Sequence, residues 1–150
     1  MGCPELGFAA ELNGKVICAQ VKVPEDEFVH LAMTYDKRFV IFYLNGNEVA
    51  RNMRTDDINL NSNALFVGRG DSGLVTNALR GETDWIAIFN TARYPATIKN
   101  DAKNSIADVL RSEGEGLVLY LPFDNDFKDV TSKEQKVGTL GEPKLVEVKK

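Results

Sequence analysis

Apolar and polar residues alternate with period two along most of the chain, and turn residues break the runs. This is the pattern of half-buried strands in a sandwich or barrel. Asn13-Gly14 is the preferred pair for a two-residue type I′ turn, which sets Ala10 opposite Ile17 and Phe8 opposite Ala19. Val21 and Val23 continue that apolar face, while Val16, Cys18, Gln20 and Lys22 take the other. Cys3 falls well away from Cys18 in this register, so two free thiols are expected rather than a disulfide. Residues 28–35 form the next strand, with Val29, Leu31 and Met33 alternating against Phe28, His30, Ala32 and Thr34. After a turn at Asp36-Lys37, residues 39–44 give a third strand, with Val40, Phe42 and Leu44 facing the core. Asn45-Gly46 repeats the hairpin signal and sets Phe42 against Val49.

Further strands are expected at residues 64–68, 85–89 and 117–123, with weaker ones at 137–140 and 144–148. Helix is a minor component. Pro95 suits the first position of a helix running to about Lys103. Ser105 to Asp108 reads as a capping box, with Ile106, Val109 and Leu110 on one face and Gly114 as the stop. The fold class is therefore all-β: an antiparallel two-sheet sandwich with one or two short helices. No repeat or linker divides residues 1–150, which read as one domain.

Composition adds exclusions. A net charge of −4, with 43% hydrophobic and 27% charged residues, is that of a folded globular chain. No Lys/Arg-rich stripe supplies the positive field that nucleic acid requires. No apolar run is long enough to span a bilayer, and Met1 to Glu5 has neither the basic nor the apolar part of a signal peptide. Leu6 stands where a myristoylation signal needs Ser or Thr.

Phe28-Val29-His30-Leu31-Ala32-Met33-Thr34-Tyr35-Asp36, followed by Phe42-Tyr43-Leu44-Asn45-Gly46-Asn47-Glu48-Val49-Ala50, resembles the laminin-G-like jelly-roll signature W-x-H-V-A-x-T-Y-D-G…L-Y-V-D-G-x-x-V-A. Val67-Gly68-Arg69-Gly70 matches the family's I-G-x-G segment, residues 81–90 its G-x-I-D-E-V-R-I-Y-N segment, and residues 116–124 its G-L-V-x-Y-x-x-F-D strand. The resemblance covers about residues 5–141 and implies a two-sheet jelly roll of the concanavalin-A-like kind. The family's opening F-D-G…Y-V and F-T-I-E-A-W segments have no match, so the chain resembles the later portion of such a domain within a larger protein. An uncovered sheet edge or face then favours oligomers. The resemblance also implies an extracellular or cell-surface setting.

A laminarinase-type glucanase of this fold class needs carboxylates on alternate positions of one strand, and no E-x-D-x-x-E run occurs. Glu82 and Asp84 are the nearest pair. His30 is the chain's single histidine and has no Ser, Cys or acid constellation around it, which favours a structural role. No catalytic residue is assigned. No Cys/His spacing suits zinc. Calcium is the one cofactor the resemblance allows, with Asp84 at its carboxylate position, against the simpler role of capping a strand end. Arg69-Gly70-Asp71 spells an adhesion-type tripeptide of common loop residues.

With Ile86 and Ile88 as core positions, Trp85, Ala87 and Phe89 make the opposite face of their strand apolar too. Phe39, Ile41 and Tyr43 do the same behind Val40, Phe42 and Leu44. Solvated sheet faces are normally polar, so these faces contact a ligand or partner, or lie under the chain's own helices and tail. The candidate ligand-binding set is Trp85, Tyr43, Phe89, Arg69 and Asp71. The leading expectation is a non-catalytic, lectin-like carbohydrate-binding module. A protein-interaction module with its aromatic face buried by a partner is second, and a glycoside hydrolase third.

Overall fold

The computed structural model describes residues 8–59, 65–67, 79–103, 116–139 and 141–147. Its elements run β1 (Ala9–Leu12), β2 (Lys15–Cys18), β3 (Leu31–Tyr35), β4 (Phe39–Leu44), β5 (Asn47–Met53), β6 (Ile86–Phe89), α1 (Pro95–Asp101) and β7 (Leu117–Leu121). Every strand pairing is antiparallel, in a β1–β2 hairpin, a β3–β4–β5 sheet and a β6–β7 pair. Among the described residues, antiparallel strands with one short helix are the architecture expected of a jelly roll.

Both Asn-Gly turns form as their residues dictate. Asn13, Gly14, Asn45 and Gly46 all have positive φ, the condition for a type I′ turn. The first hairpin keeps the expected register: Ala10 pairs with Ile17, and the Ala19 N–H donates to the Phe8 carbonyl. The second departs from it. A bulge between Phe42 and Tyr43 moves Phe42 from Val49 to Ala50, so Val49 and Ala50 both lie against the same cluster. One extra residue on β5 thus adds an apolar side chain to that face.

The central strand of the middle sheet, β4, is covered on both sides. On one side the β1–β2 hairpin brings Ile17 and Ala19 onto Val40 and Phe42, with Phe8 edge-on to Phe42 at a centroid distance of 5.2 Å. On the other, Ile98 of α1 packs on Ile41 and Tyr43. This explains the unbroken apolar run of β4, whose four central residues are all buried.

Helix α1 starts where Tyr94 is extended and Pro95 supplies a pre-set φ without losing a needed N–H. β7 ends at Leu121, two residues short of the expected end, because Pro122 has no N–H for the ladder. The Phe28-Val29-His30 segment precedes β3 rather than joining it, and the described parts of the two weak C-terminal strands, residues 137–139 and 144–147, have no regular structure. Residues 65–67 are likewise not strand. The expected second helix lies outside the described residues. No helix among the described residues is long and apolar enough to cross a membrane.

Two further expectations are corrected. Cys18 is disulfide-bonded, and Cys3 is the chain's only other cysteine, so the thiols are not both free. On β6, among the described residues, it is Trp85, Ala87 and Phe89 rather than Ile86 and Ile88 that join a buried cluster, because Leu117 and Tyr120 of β7 supply the buried partners there.

Candidate functional site

Tyr43 points from β4 into the interface with α1 and is 1% exposed. Its ring therefore offers no face to a ligand. Gly46 lets the helix come this close: a Cβ there would stand 2.8 Å from the Lys99 Cα. Phe39, at the margin of the same face, is overlaid by guanidinium groups, Arg51 at 5.1 Å and Arg38 at 5.8 Å from its centroid. Arg51 is itself held by Glu48, with nitrogen–oxygen distances of 2.7 and 2.8 Å. The apolar surface behind β4 is thus occupied by the chain itself.

Trp85, just before β6, is half-buried and sits between His30, at 5.4 Å, and Tyr120, at 6.2 Å between ring centroids. The Nδ1 of His30 and the hydroxyl of Tyr120 are buried without a hydrogen-bond partner among the described residues. Burial pushes the imidazole below its ordinary value, against the opposing pull of Asp101. Burial, reinforced by Asp124 and Asp84, pushes the Tyr120 phenol up to about 12. Both groups are neutral near pH 7, which suits packing more than proton transfer.

Phe89 also lies partly buried on this face, with the Arg93 guanidinium 4.0 Å from its centroid. Arg93 in turn bonds both oxygens of Asp101, at 2.9 to 3.2 Å, in an ion pair nearly excluded from solvent. The fork matches the carboxylate and fixes the cation over the ring. One side of Phe89 is therefore occupied.

Asp84 is half-buried in the segment leading to β6, and Glu82 is exposed. Among the described residues no group of three or more His, Cys, Asp or Glu side chains is placed to hold a metal ion. Calcium takes six to eight oxygens, so the described residues around Asp84 do not by themselves make such a site. Arg69 and Asp71 lie outside the described residues.

Sequence reasoning missed Asp129. Its carboxylate accepts from the backbone N–H groups of Tyr120, Thr131 and Gln135 and from the Thr131 hydroxyl, at 2.8 to 3.1 Å. Burial alone would raise this carboxyl, but those hydrogen bonds hold it below its ordinary range. Asp129 lines a cleft of about 310 Å³ with Lys128, Glu134, Gln135 and Val137, yet its oxygens are engaged in tying the chain to β7. The Asp-x-Thr spacing was the signal, since such residues turn the backbone on themselves.

A family model, described as the concanavalin A-like lectin/glucanases superfamily, matches residues 5–99. No curated protein matches the chain. A solved structure of an S-layer domain-containing protein from Clostridium thermocellum ATCC 27405 is similar at 24% sequence identity and a TM-score of 0.46. The match covers 65% of this chain and 51% of that one, so the present chain spans about half of the solved chain.

Proposed function

The chain belongs to the concanavalin A-like lectin/glucanase superfamily, and on that footing we propose that it is a non-catalytic interaction module of an extracellular or cell-surface protein, joining protein to protein. One contrast carries this reading. The aromatic surface behind β4 is filled by α1, whereas Phe28, Leu31 and Met33 lie exposed at and just before β3. Leu31 and Met33, bare on one face of β3, with Phe28 exposed just before the strand, are suited to a partner. The disulfide at Cys18 supports an oxidising compartment. The sequence supports a non-catalytic role, because hydrolysis needs two carboxyl groups held across a scissile bond and no E-x-D-x-x-E run supplies them.

A photoreactive benzoylphenylalanine in place of Phe28, in the intact protein on its native surface, tests this. The expected result is an adduct with a second polypeptide. No polypeptide adduct, together with glycan binding that Trp85→Ala abolishes, would replace this reading with the second.

That second reading is a carbohydrate-binding, lectin-like module centred on Trp85. What favours it is that Trp85 retains partial exposure, and that two polar atoms on the side chains flanking it have no hydrogen-bond partner among the described residues. A pyranose stacks its apolar face on such a ring and takes hydrogen bonds from beside it.

A further inference from the structure

In the three-stranded sheet β3 is an edge strand among the described residues. Its hydrogen bonds to β4 fix which of its groups are free. The Asn45 N–H donates to the His30 carbonyl at 2.8 Å, and the Asp36 N–H to the Phe39 carbonyl at 3.4 Å. Bonded pairs alternate along an antiparallel ladder, so residues 30, 32, 34 and 36 bond inward to β4. Leu31, Met33 and Tyr35 consequently turn their N–H and carbonyl groups outward. Their side chains share the face of Phe42 and Val40, where Leu31 is 44% and Met33 50% exposed.

Edge strands normally carry protection against pairing: a charge, a proline, a bulge or a covering loop. β3, which reads Leu31-Ala32-Met33-Thr34-Tyr35, has no charge and no proline, and its pairing with β4 is without a bulge. An edge without these devices among the described residues, and with an exposed apolar row, is complementary to one kind of object, an extended strand with apolar residues at alternate positions. β3 is itself such a strand.

Resting on the interaction-module reading above, we propose that the partner is a second copy of this chain, joined edge to edge through antiparallel β3 strands about a twofold axis. The pairing is isologous, each strand supplying what the other lacks. Met33 set against Met33 of the other copy, or Leu31 against its Met33, brings outward N–H groups opposite outward carbonyls. Both registers oppose apolar side chains on one face; on the other, Ala32 meets Thr34 in the first, and in the second Ala32 meets Ala32 and Thr34 meets His30, with no charge facing its like.

The flanks add direction. Glu25, Asp26 and Glu27 precede β3 and Asp36, Lys37 and Arg38 follow it, all exposed, with Lys37 paired to Asp57 at 2.8 Å, so Arg38 is the cation without an ion pair among the described residues. Antiparallel pairing brings the acidic flank of one copy toward Arg38 of the other at both ends. Parallel pairing would set acid beside acid. A foreign strand would be selected by the apolar row alone, whereas the acidic triplet before β3 and Arg38 after it are matched by the chain's own reverse.

Sedimentation velocity of the full chain over about 1 to 200 μM tests the proposal, since a dimer of this kind dissociates by mass action. The expected result is a reversible monomer–dimer equilibrium that weakens with added salt. Met33→Lys is expected to raise the dissociation constant at least about tenfold by placing like charges at the axis in the first register and diagonally across it in the second. Val16→Lys, an exposed apolar position on β2, leaves it unchanged. Arg38→Glu, which does not alter β3, also weakens the dimer. In hydrogen exchange, the amides of Leu31, Met33 and Tyr35 become protected as concentration rises. A chain that stays monomeric throughout, or a dimer indifferent to both Met33→Lys and Arg38→Glu, overturns the proposal. If the monomer is accompanied by a Phe28 adduct to a different protein, the interaction-module reading stands and only the identity of the partner falls.

Discussion

Met33 and Phe42 are cross-strand partners on one face of one sheet, yet Phe42 is 0% exposed and Met33 50%. Residue type does not separate them, since both are large and apolar. What separates them is the position of the β1–β2 hairpin. Ile17 and Ala19 form one buried cluster with Val40 and Phe42 of β4; Val49 and Ala50 of β5 pack against it, and of β3 Tyr35 does, while Leu31 and Met33 stay exposed. A two-stranded hairpin is too narrow to cover three strands placed edge to edge, about 5 Å apart. β4 therefore forms the centre of the fold, and β3 carries the same apolar pattern out to a surface.

The comparison is broken most directly by truncating its two members. Phe42→Ala should cost about 3–5 kcal/mol, since it opens a cavity between hairpin and sheet that neighbouring strands cannot collapse into. Met33→Ala should change monomer stability by no more than about 0.5 kcal/mol, as for other exposed positions. Urea melts at a concentration low enough to keep the chain monomeric measure both. Equal losses would mean that Met33 is covered in solution by something other than a second copy.

Much of this arrangement was legible in residues 8–53. Two Asn-Gly pairs and strict alternation fixed both hairpins and the core face of β4, because a turn requiring two positive φ values leaves few other choices. The bulge was not legible: no residue of Asn47 to Ala50 announces it, and it follows from the packing of Val49 and Ala50 together against Phe42. Nor could periodicity say what covers the aromatic side of β4, since a face apolar on both sides reads the same under a helix as under a ligand. Ile98 of α1 resolved it in favour of the chain's own helix. The same ambiguity reversed β6, where Ile86 and Ile88 have the β-branched look of a core yet Trp85, Ala87 and Phe89 meet the buried Leu117 and Tyr120.

The helix side of the comparison is sharpened by the two turn glycines. Gly14 and Gly46 have nearly equal φ, +75° and +76°, so Ala at either carries the same backbone strain of about 1 kcal/mol. A Cβ at Gly14 meets nothing within 4 Å, whereas at Gly46 it meets the Lys99 Cα at 2.8 Å, and backbone must move. Gly46→Ala should therefore cost about 1–2 kcal/mol more than Gly14→Ala, in the range of overpacking. Exchange of α1 amides should accelerate in that variant only. Equal costs for the two would show that α1 rests loosely on Tyr43, and would return that ring to the candidates for ligand contact.

The smallest effect concerns the face on which β3 is covered. His30 alternates with Met33, so its ring lies on the helix side, near Trp85 and within the influence of Asp101, and burial holds it below the ordinary value of 6.5. In the unfolded chain that imidazole titrates normally. Between the ordinary value and the lowered folded one, the unfolded state binds more protons, so stability is full above about pH 6.5 and falls as pH drops toward the folded value, where the loss is complete. The slope from one proton cannot exceed about 1.4 kcal/mol per pH unit. Asp36, Glu48, Asp57 and Asp129, all held below their ordinary carboxyl values, add their own losses only below about pH 4.5. The interval from pH 6.5 to 5 thus belongs to the chain's single histidine. Urea midpoints across it should decline for the native chain and stay flat for His30→Phe, which removes the titration together with the unpartnered Nδ1. A decline of equal slope in His30→Phe would mean that β3 is as open on its helix side as on its hairpin side, and the two faces of the strand would no longer differ.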